Sequence, residues 1–336
     1  MNTLKRSAAL LAASALAISL AACTTGSQQS EANNQGGGEA LSEADLAGQT
    51  IGFIPGVNDP FYISMQCAIE ETAAEYGMEV SVQIPEQFEA AVQTPIVNSM
   101  IATDPAALLI APTDGTALQP PLKQAVDAGI PVGLVDTTLD DPSLAFTSVA
   151  TDNELGGAAA ADALADLIGG EGKVLVIAFK AGASTSDARQ KGFEDQIAAH
   201  EGIEYLGAQI NDNDPAKAAS IVQASLAANP DLAGVFATNL FAAQGAATGL
   251  RNAGAEGDVK IVGFDAGATQ VEQLERDDVQ ALVAQKPGDI GRQAVEQTVA
   301  ELTGGEVTPE IGTETVVLTQ ENLSSMQDAI YQESCS

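Results

Sequence analysis

Nine side chains spread along this sequence have the chemistry needed to hold a small polar molecule. They are the carboxylates of Asp59, Asp136 and Asp265, the guanidinium of Arg189, the amides of Asn239 and Gln285, and the rings of Phe61, Tyr62 and Phe264, with Asn58 and Thr137 beside them. Carboxylates accept from hydroxyls, arginine donates in a fixed fork, amides do both, and aromatic faces cover C–H surface. That mixture suits a hydroxylated, largely uncharged molecule. Each residue also has a plainer use. Asp and Asn at joints form turns or cap helices, Phe264 fits an ordinary core, and Arg189 could pair with Asp187 or Glu194 on a helix surface. Their recurrence at equivalent joints in both halves of the chain favours binding.

Catalysis has little to work with. No GxSxG, HExxH or GxxxxGK[ST] pattern occurs, and the single histidine, His200, stands in AAHEG near a helix end. Asp136 and Asp265 could be imagined as a glycosidase pair, but nothing in the sequence marks either as an acid of raised pKa. No CxxC or Cys/His cluster exists, which excludes a zinc site of the usual spacing.

The elements that must position these residues alternate regularly. Short β-rich runs at 51–55, 80–84, 107–110 and 132–136 alternate with helical stretches at 61–76, 88–101 and 117–128. The second half repeats the scheme, with strands at 174–179, 203–210, 234–237, 260–264 and 279–284. Helices at 155–168, 187–200, 215–228, 242–253 and 268–276 separate them, and a last helix covers 290–302. Apolar strands joined by helices predict parallel sheets covered on both faces, and the units are too many for one sheet. The expected fold is α/β, with two doubly wound parallel-sheet lobes. Ligands in such sheets bind beyond the carboxyl ends of the strands, where the residues named above fall. Asp214-Pro215 predicts an N-cap followed by proline at the first helical position; Asn229-Pro230 and Asn252 to Gly254 predict helix ends.

The first 22 residues read as a lipoprotein signal peptide: Lys5 and Arg6 precede an apolar run that stops at Leu20-Ala21-Ala22-Cys23. Cleavage before Cys23 and acylation of that cysteine would hold the protein on the outer face of the cytoplasmic membrane. Residues 23–47 read as a flexible linker, polar and glycine-rich, with folded sequence starting near Gly48. Formal net charge is −33, and losing Lys5 and Arg6 with the signal makes it −35. With no basic stripe, a nucleic-acid partner is excluded, and an anionic lipid surface would repel the domain. Outside the reducing cytoplasm, the two remaining cysteines, Cys67 and Cys335, are expected to pair as a disulfide. The tail would then return past the lobe junction through a helical stretch at 325–331, packing Met326, Ile330 and Tyr331 there.

From about residue 50 to 317 the chain resembles the type I periplasmic binding proteins of the ribose/sugar-binding branch that serves ABC importers. NDPFY (58–62), LLIAPTD (108–114), IPVGLVDTT (130–138), STSDARQKGF (184–193), VFATN (235–239) and IVGFDAG (261–267) carry the match in the family's order. The resemblance implies a three-crossover hinge near Thr151, Gln285 and Thr313. It also implies an N-terminal lobe of 48–151 plus 286–313, and a C-terminal lobe and tail of 152–285 plus 314–336. Asp59, Phe61, Tyr62 and Asp136 would form one wall, and Arg189, Asn239, Phe264 and Asp265 the other, with Gln285 at the junction. Two positions depart from the ribose pattern: Thr137 stands where ribose binders carry a second arginine, and Asn213 where they carry a ring. Asp59 replaces the usual asparagine. A different pentose, a deoxy sugar or an acyclic polyol would suit the altered set. The implied protein is a monomer without cofactor that closes on its ligand and presents it to a membrane permease. A receptor feeding a membrane sensor kinase would share the fold and site. Transcription repressors share the core fold but carry an N-terminal DNA-binding domain in place of this chain's lipobox and leash.

Overall fold

The computed structural model describes residues 40–335, so Cys23, the signal segment and most of the linker lie outside the described residues. Order begins earlier than Gly48. Leu41 donates its N–H to the carbonyl of Leu302, and Leu46, in a 3-10 turn at Glu43–Leu46, is fully buried. Two leucines in an otherwise polar stretch are enough to dock it.

The first half runs β1 (Thr50–Ile54), α1 (Pro60–Glu75), β2 (Glu79–Val82), α2 (Ala90–Ile101), β3 (Ala107–Ile110), α3 (Gln119–Asp127), β4 (Val132–Val135) and β5 (Thr147–Thr151). The second runs α4 (Asn153–Leu167), β6 (Gly172–Ala178), α5 (Ser184–Ile197), β7 (Ile203–Ile210), α6 (Pro215–Ala228), β8 (Leu232–Ala237), α7 (Leu240–Ala253), β9 (Lys260–Phe264), α8 (Ala268–Glu275) and β10 (Ala281–Ala284). Then follow α9 (Pro287–Thr303), β11 (Glu310–Thr313) and β12 (Val316–Leu318).

The strands form two six-stranded sheets, ordered β11-β5-β4-β3-β1-β2 and β12-β10-β9-β8-β6-β7. Place for place, β1 to β5 correspond to β6 to β10. The central strands β3, β4 and β10 are buried along their whole length, as expected for strands covered by helices on both faces. The edges differ: β11 pairs parallel with β5, whereas β12 pairs antiparallel with β10. The chain passes between the sheets after β5, after β10 and after β11. α9 packs on α1, where a Cβ on Gly291 would come within 2.5 Å of the Met65 carbonyl.

Strand β5 and the edge strands β11 and β12 are additional to those read from the sequence. The tail also differs from expectation. In place of a helix at 325–331 it makes two short 3-10 turns, Leu323–Ser325 and Gln327–Ala329. Tyr331 is buried, while Met326 is 37% exposed. The tail leaves the second sheet at β12 and ends on α1, where Gln332 N–H donates to Ser64 Oγ at 2.7 Å and the sulfurs of Cys67 and Cys335 are 2.01 Å apart.

Candidate functional site

The first wall is built at the ends of β1 and β4. Asp59 caps α1, its Oδ1 accepting from the Tyr62 N–H at 3.0 Å, with Pro60 at the first helical position. The cap fixes the helix start, so Phe61 and Tyr62 emerge into the cleft with their rings edge to face at 5.1 Å. Tyr62 donates its hydroxyl to Asp136 Oδ2 at 2.7 Å. Asp136 follows β4 with φ at +61°, a left-handed conformation that Asp tolerates better than most residues, and its N–H donates to the Val149 carbonyl at 2.9 Å. Its Oδ1 is buried with no protein partner.

Burial pushes Asp136 up to about 6; Arg189 and the Tyr62 hydroxyl oppose that shift, and the nearby Asp265 adds to it. Desolvation likewise pushes Asp59 up to about 8, opposed by the Tyr62 N–H and reinforced by Asp265 and Asp136. No sequence feature announced these two raised acids; burial raises both.

The second wall is more heavily braced. Arg189 is 3% exposed, donates from Nε to Asn153 Oδ1 at 2.8 Å and from Nη1 to the Thr238 carbonyl at 2.9 Å, and lies 3.8 Å above the Phe264 ring. Close approach of α4 and α5 allows this, because a Cβ on Gly157 would fall 2.1 Å from the Arg189 carbonyl oxygen. Asp265 follows β9 with φ at +80° and donates its N–H to Val283. Its Oδ2 accepts from the Leu240 N–H at 2.9 Å; its Oδ1 accepts from Gln285 Nε2 at 2.6 Å and from the Tyr331 hydroxyl at 3.3 Å. Asn239 caps α7 through the Ala242 N–H and donates from Nδ2 to Asn213 Oδ1 at 2.7 Å.

The two walls meet. Lys180 reaches Glu89 at 2.5 Å, the Thr138 N–H donates to Ser184 Oγ at 2.9 Å, and Phe88 and Phe179 pack edge to face at 5.6 Å. Between them lies a small cavity lined by Asp59, Phe61, Tyr62 and Asp136 from the first wall. Arg189, Asn213, Asn239, Asp265 and Gln285 line it from the second wall and the junction. Three of the sequence-derived residues stand elsewhere. Thr137 turns into its own lobe and donates to the Pro112 carbonyl, and Phe264 lies behind the wall as the platform under Arg189. Asn58 is exposed and does not line the cavity.

Sequence reasoning missed Val57, Phe88, Phe179 and Thr185 in the lining. Phe179 follows β6, where the strand-end rule would have found it, whereas Phe88 sits in the approach to α2 and carries no such mark. Behind the wall, Asn153 was also missed; Tyr331 is buried at the lobe junction as the sequence predicts, but its bonds to Asp265 and Gln285 were not foreseen. The carboxylates and guanidinium present acceptors and donors to a polyhydroxylated guest, with rings on the first wall for its C–H faces. Among the described residues no group of three His, Cys, Asp or Glu is arranged to hold a metal ion.

Comparison with known proteins agrees with this geometry. A family profile described as a periplasmic binding protein domain matches residues 51–306. The ribose import binding protein of Escherichia coli (strain K12) is 32% identical over 268 residues, covering 80% of this chain and 89% of that protein. The ribose import binding protein of Bacillus subtilis (strain 168) is 32% identical over 248 residues, 74% of this chain and 79% of that protein. Among solved structures, an ABC transporter solute-binding protein from Agrobacterium vitis, bound with α-D-tagatopyranose, superposes with a TM-score of 0.83 at 42% identity, covering 84% of this chain and 99% of that one.

Proposed function

Because this chain belongs to the periplasmic binding protein domain family, we propose that it is the solute-binding component of an ABC importer and that its cleft takes a neutral monosaccharide or polyol. The observation that carries this reading is the buried, unpartnered Oδ1 of Asp136, which lines a cavity opposite the braced guanidinium of Arg189. A hydroxyl donating to Asp136 while another accepts from Arg189 satisfies both. Closing the lobes on such a guest removes water and strengthens each of these bonds. The relatives' printed ligands, ribose and α-D-tagatopyranose, support the sugar class. Thr137 turned away and Asn213 without a ring leave one guanidinium and fewer aromatic faces than the ribose pattern, which favours a sugar other than ribose. Delivery to a membrane permease as a monomer, anchorage through acylated Cys23, and oxidation of Cys67 with Cys335 complete the proposal. Nothing in the cleft supplies a catalytic pair, since the acceptors of Asp265 are already occupied.

A thermal-shift screen over ribose, tagatose, allose, arabinose and myo-inositol tests the reading, because a guest bound only by the native state raises the melting temperature by mass action. One or more of these should raise it by several degrees in the natural protein, and the shift should vanish in Arg189→Ala. A flat response to every sugar and polyol would refute it. Intact mass of membrane-extracted, unreduced protein reads the anchor and the thiols: an unacylated Cys23, or two free thiols, removes the corresponding part.

A further inference from the structure

We propose that Tyr331 in the C-terminal tail is a positioning residue of the cleft, holding Asp265 and Gln285 in their binding geometry. The inference rests on the sugar-binding reading of that cleft.

Tyr331 lies 66 residues beyond Asp265 in the chain, yet its hydroxyl closes a ring of hydrogen bonds behind the second wall. The Gln285 N–H donates to the Tyr331 oxygen at 2.9 Å, Tyr331 donates to Asp265 Oδ1 at 3.3 Å, and Gln285 Nε2 donates to the same oxygen at 2.6 Å. Gln285 is held in turn by Thr151 Oγ1, which donates to its Oε1 at 2.6 Å and ties the ring to the first crossover between lobes. The Tyr331 main-chain N–H donates to the Ala266 carbonyl at 3.0 Å, fixing the residue after Asp265. The backbone of Asp265 is left-handed, so its side chain has no regular element to orient it and depends on these partners.

The tail is itself fastened to the opposite wall. The Tyr331 ring packs 5.7 Å from that of Phe61, and Gln332 and Cys335 attach to Ser64 and Cys67 of α1. The residue that orients a ligand-facing carboxylate on one lobe is thus moored to the helix that carries Asp59, Phe61 and Tyr62 on the other.

Tyr331→Phe keeps the ring and removes the hydroxyl. In the sugar-free protein, amide exchange at Gln285 should become about tenfold faster, since its acceptor is gone, with little change in the melting midpoint. By calorimetry with the best-binding of D-tagatose, D-ribose, D-allose and D-arabinose, affinity should fall about tenfold. Combined with Asp265→Asn it should cost little more, because both changes break the same ring. Cys335→Ser, which unmoors the tail but keeps the hydroxyl, should give a smaller loss in the same direction. Unchanged exchange at Gln285 overturns the proposal whether or not any sugar binds, as does an affinity within about twofold of the natural protein, or losses that add in full. If none of the four sugars binds the natural protein, the sugar reading fails. Faster exchange would then still support Tyr331 as the residue ordering Asp265 for another guest.

Discussion

Strands β4 and β9 occupy the same place in the two sheets, and each is followed by an aspartate in left-handed conformation whose N–H donates to a valine carbonyl on the neighbouring strand. The side chains are nonetheless used differently. Asp136 receives one donor, Tyr62, and keeps a buried oxygen with no partner. Asp265 receives Leu240, Gln285 and Tyr331. One backbone device therefore yields an acceptor left open to the cavity and an acceptor fixed as framework. Burial raises the pKa of Asp136, whereas Asp265 is met by three donors.

The sharpest break of this comparison is to remove each carboxylate. Asp265→Ala should cost about 3 to 5 kcal/mol of sugar affinity and lower the stability of the sugar-free protein by about 2 kcal/mol, because three donors lose their acceptor. Asp136→Asn should cost about 2 kcal/mol of affinity, the range for a charged hydrogen bond. It should raise the melting temperature of the sugar-free protein near neutral pH, since a buried charge is removed while Tyr62 keeps an oxygen to donate to. Calorimetry and melting curves read both; stability changes of the same sign in the two variants would erase the distinction.

Much of this arrangement was legible because strong local signals coincide with the cleft. Apolar runs marked the inner strands, and the residue just past a parallel strand is where a cleft must lie, which located Asp136 and Asp265. The plainer reading of Asp59 and Asn239 as helix caps holds, and the same residues line the cavity. Neighbours along a strand end face opposite ways, so Phe264 belongs behind the wall and Asp265 in it. Strands β5 and β11 escaped notice because TSVAT and EIGT are short and half polar, and their pairing is set by the sheet beside them. Tyr331 was placed at the lobe junction only through the expected return of the tail, and its bonds to Asp265 and Gln285 had no local signal because they are made across the fold.

The comparison sharpens with pH. Asp136 and Asp59 have folded pKa values above their ordinary 3.8, about 6 and about 8. Raised carboxylates favour the native state fully below their unfolded pKa, and that stability is lost as pH rises through the folded value. The sugar-free protein should therefore lose melting temperature between pH 4 and pH 8. Asp59→Asn should flatten the part above pH 6 and lessen the slope below it, whereas Asp136→Asn should lessen the slope only below pH 6. Identical slopes in natural protein and Asp59→Asn would show that Asp59 is not desolvated.

The smallest expected effect concerns contacts across the lobes against contacts within one. Lys180 and Glu89 stand on opposite lobes at 2.5 Å, whereas Lys173 and Asp231, at 3.0 Å, both belong to the second. Both pairs are partly exposed, at 18% and 45% for the first and 26% and 67% for the second, so each contributes little to stability, and less in salt. Their consequences should still differ in kind. Only the cross-lobe pair depends on closure, and closure is what the guest selects, so Lys180→Ala should weaken sugar affinity by about two- to fivefold and make it less dependent on salt. Lys173→Ala should leave affinity unchanged while lowering stability slightly, because its pair is the same in either arrangement of the lobes. Titrations at low and high salt separate the two, and equal affinity losses for both variants would mean that Lys180 is surface charge rather than a latch.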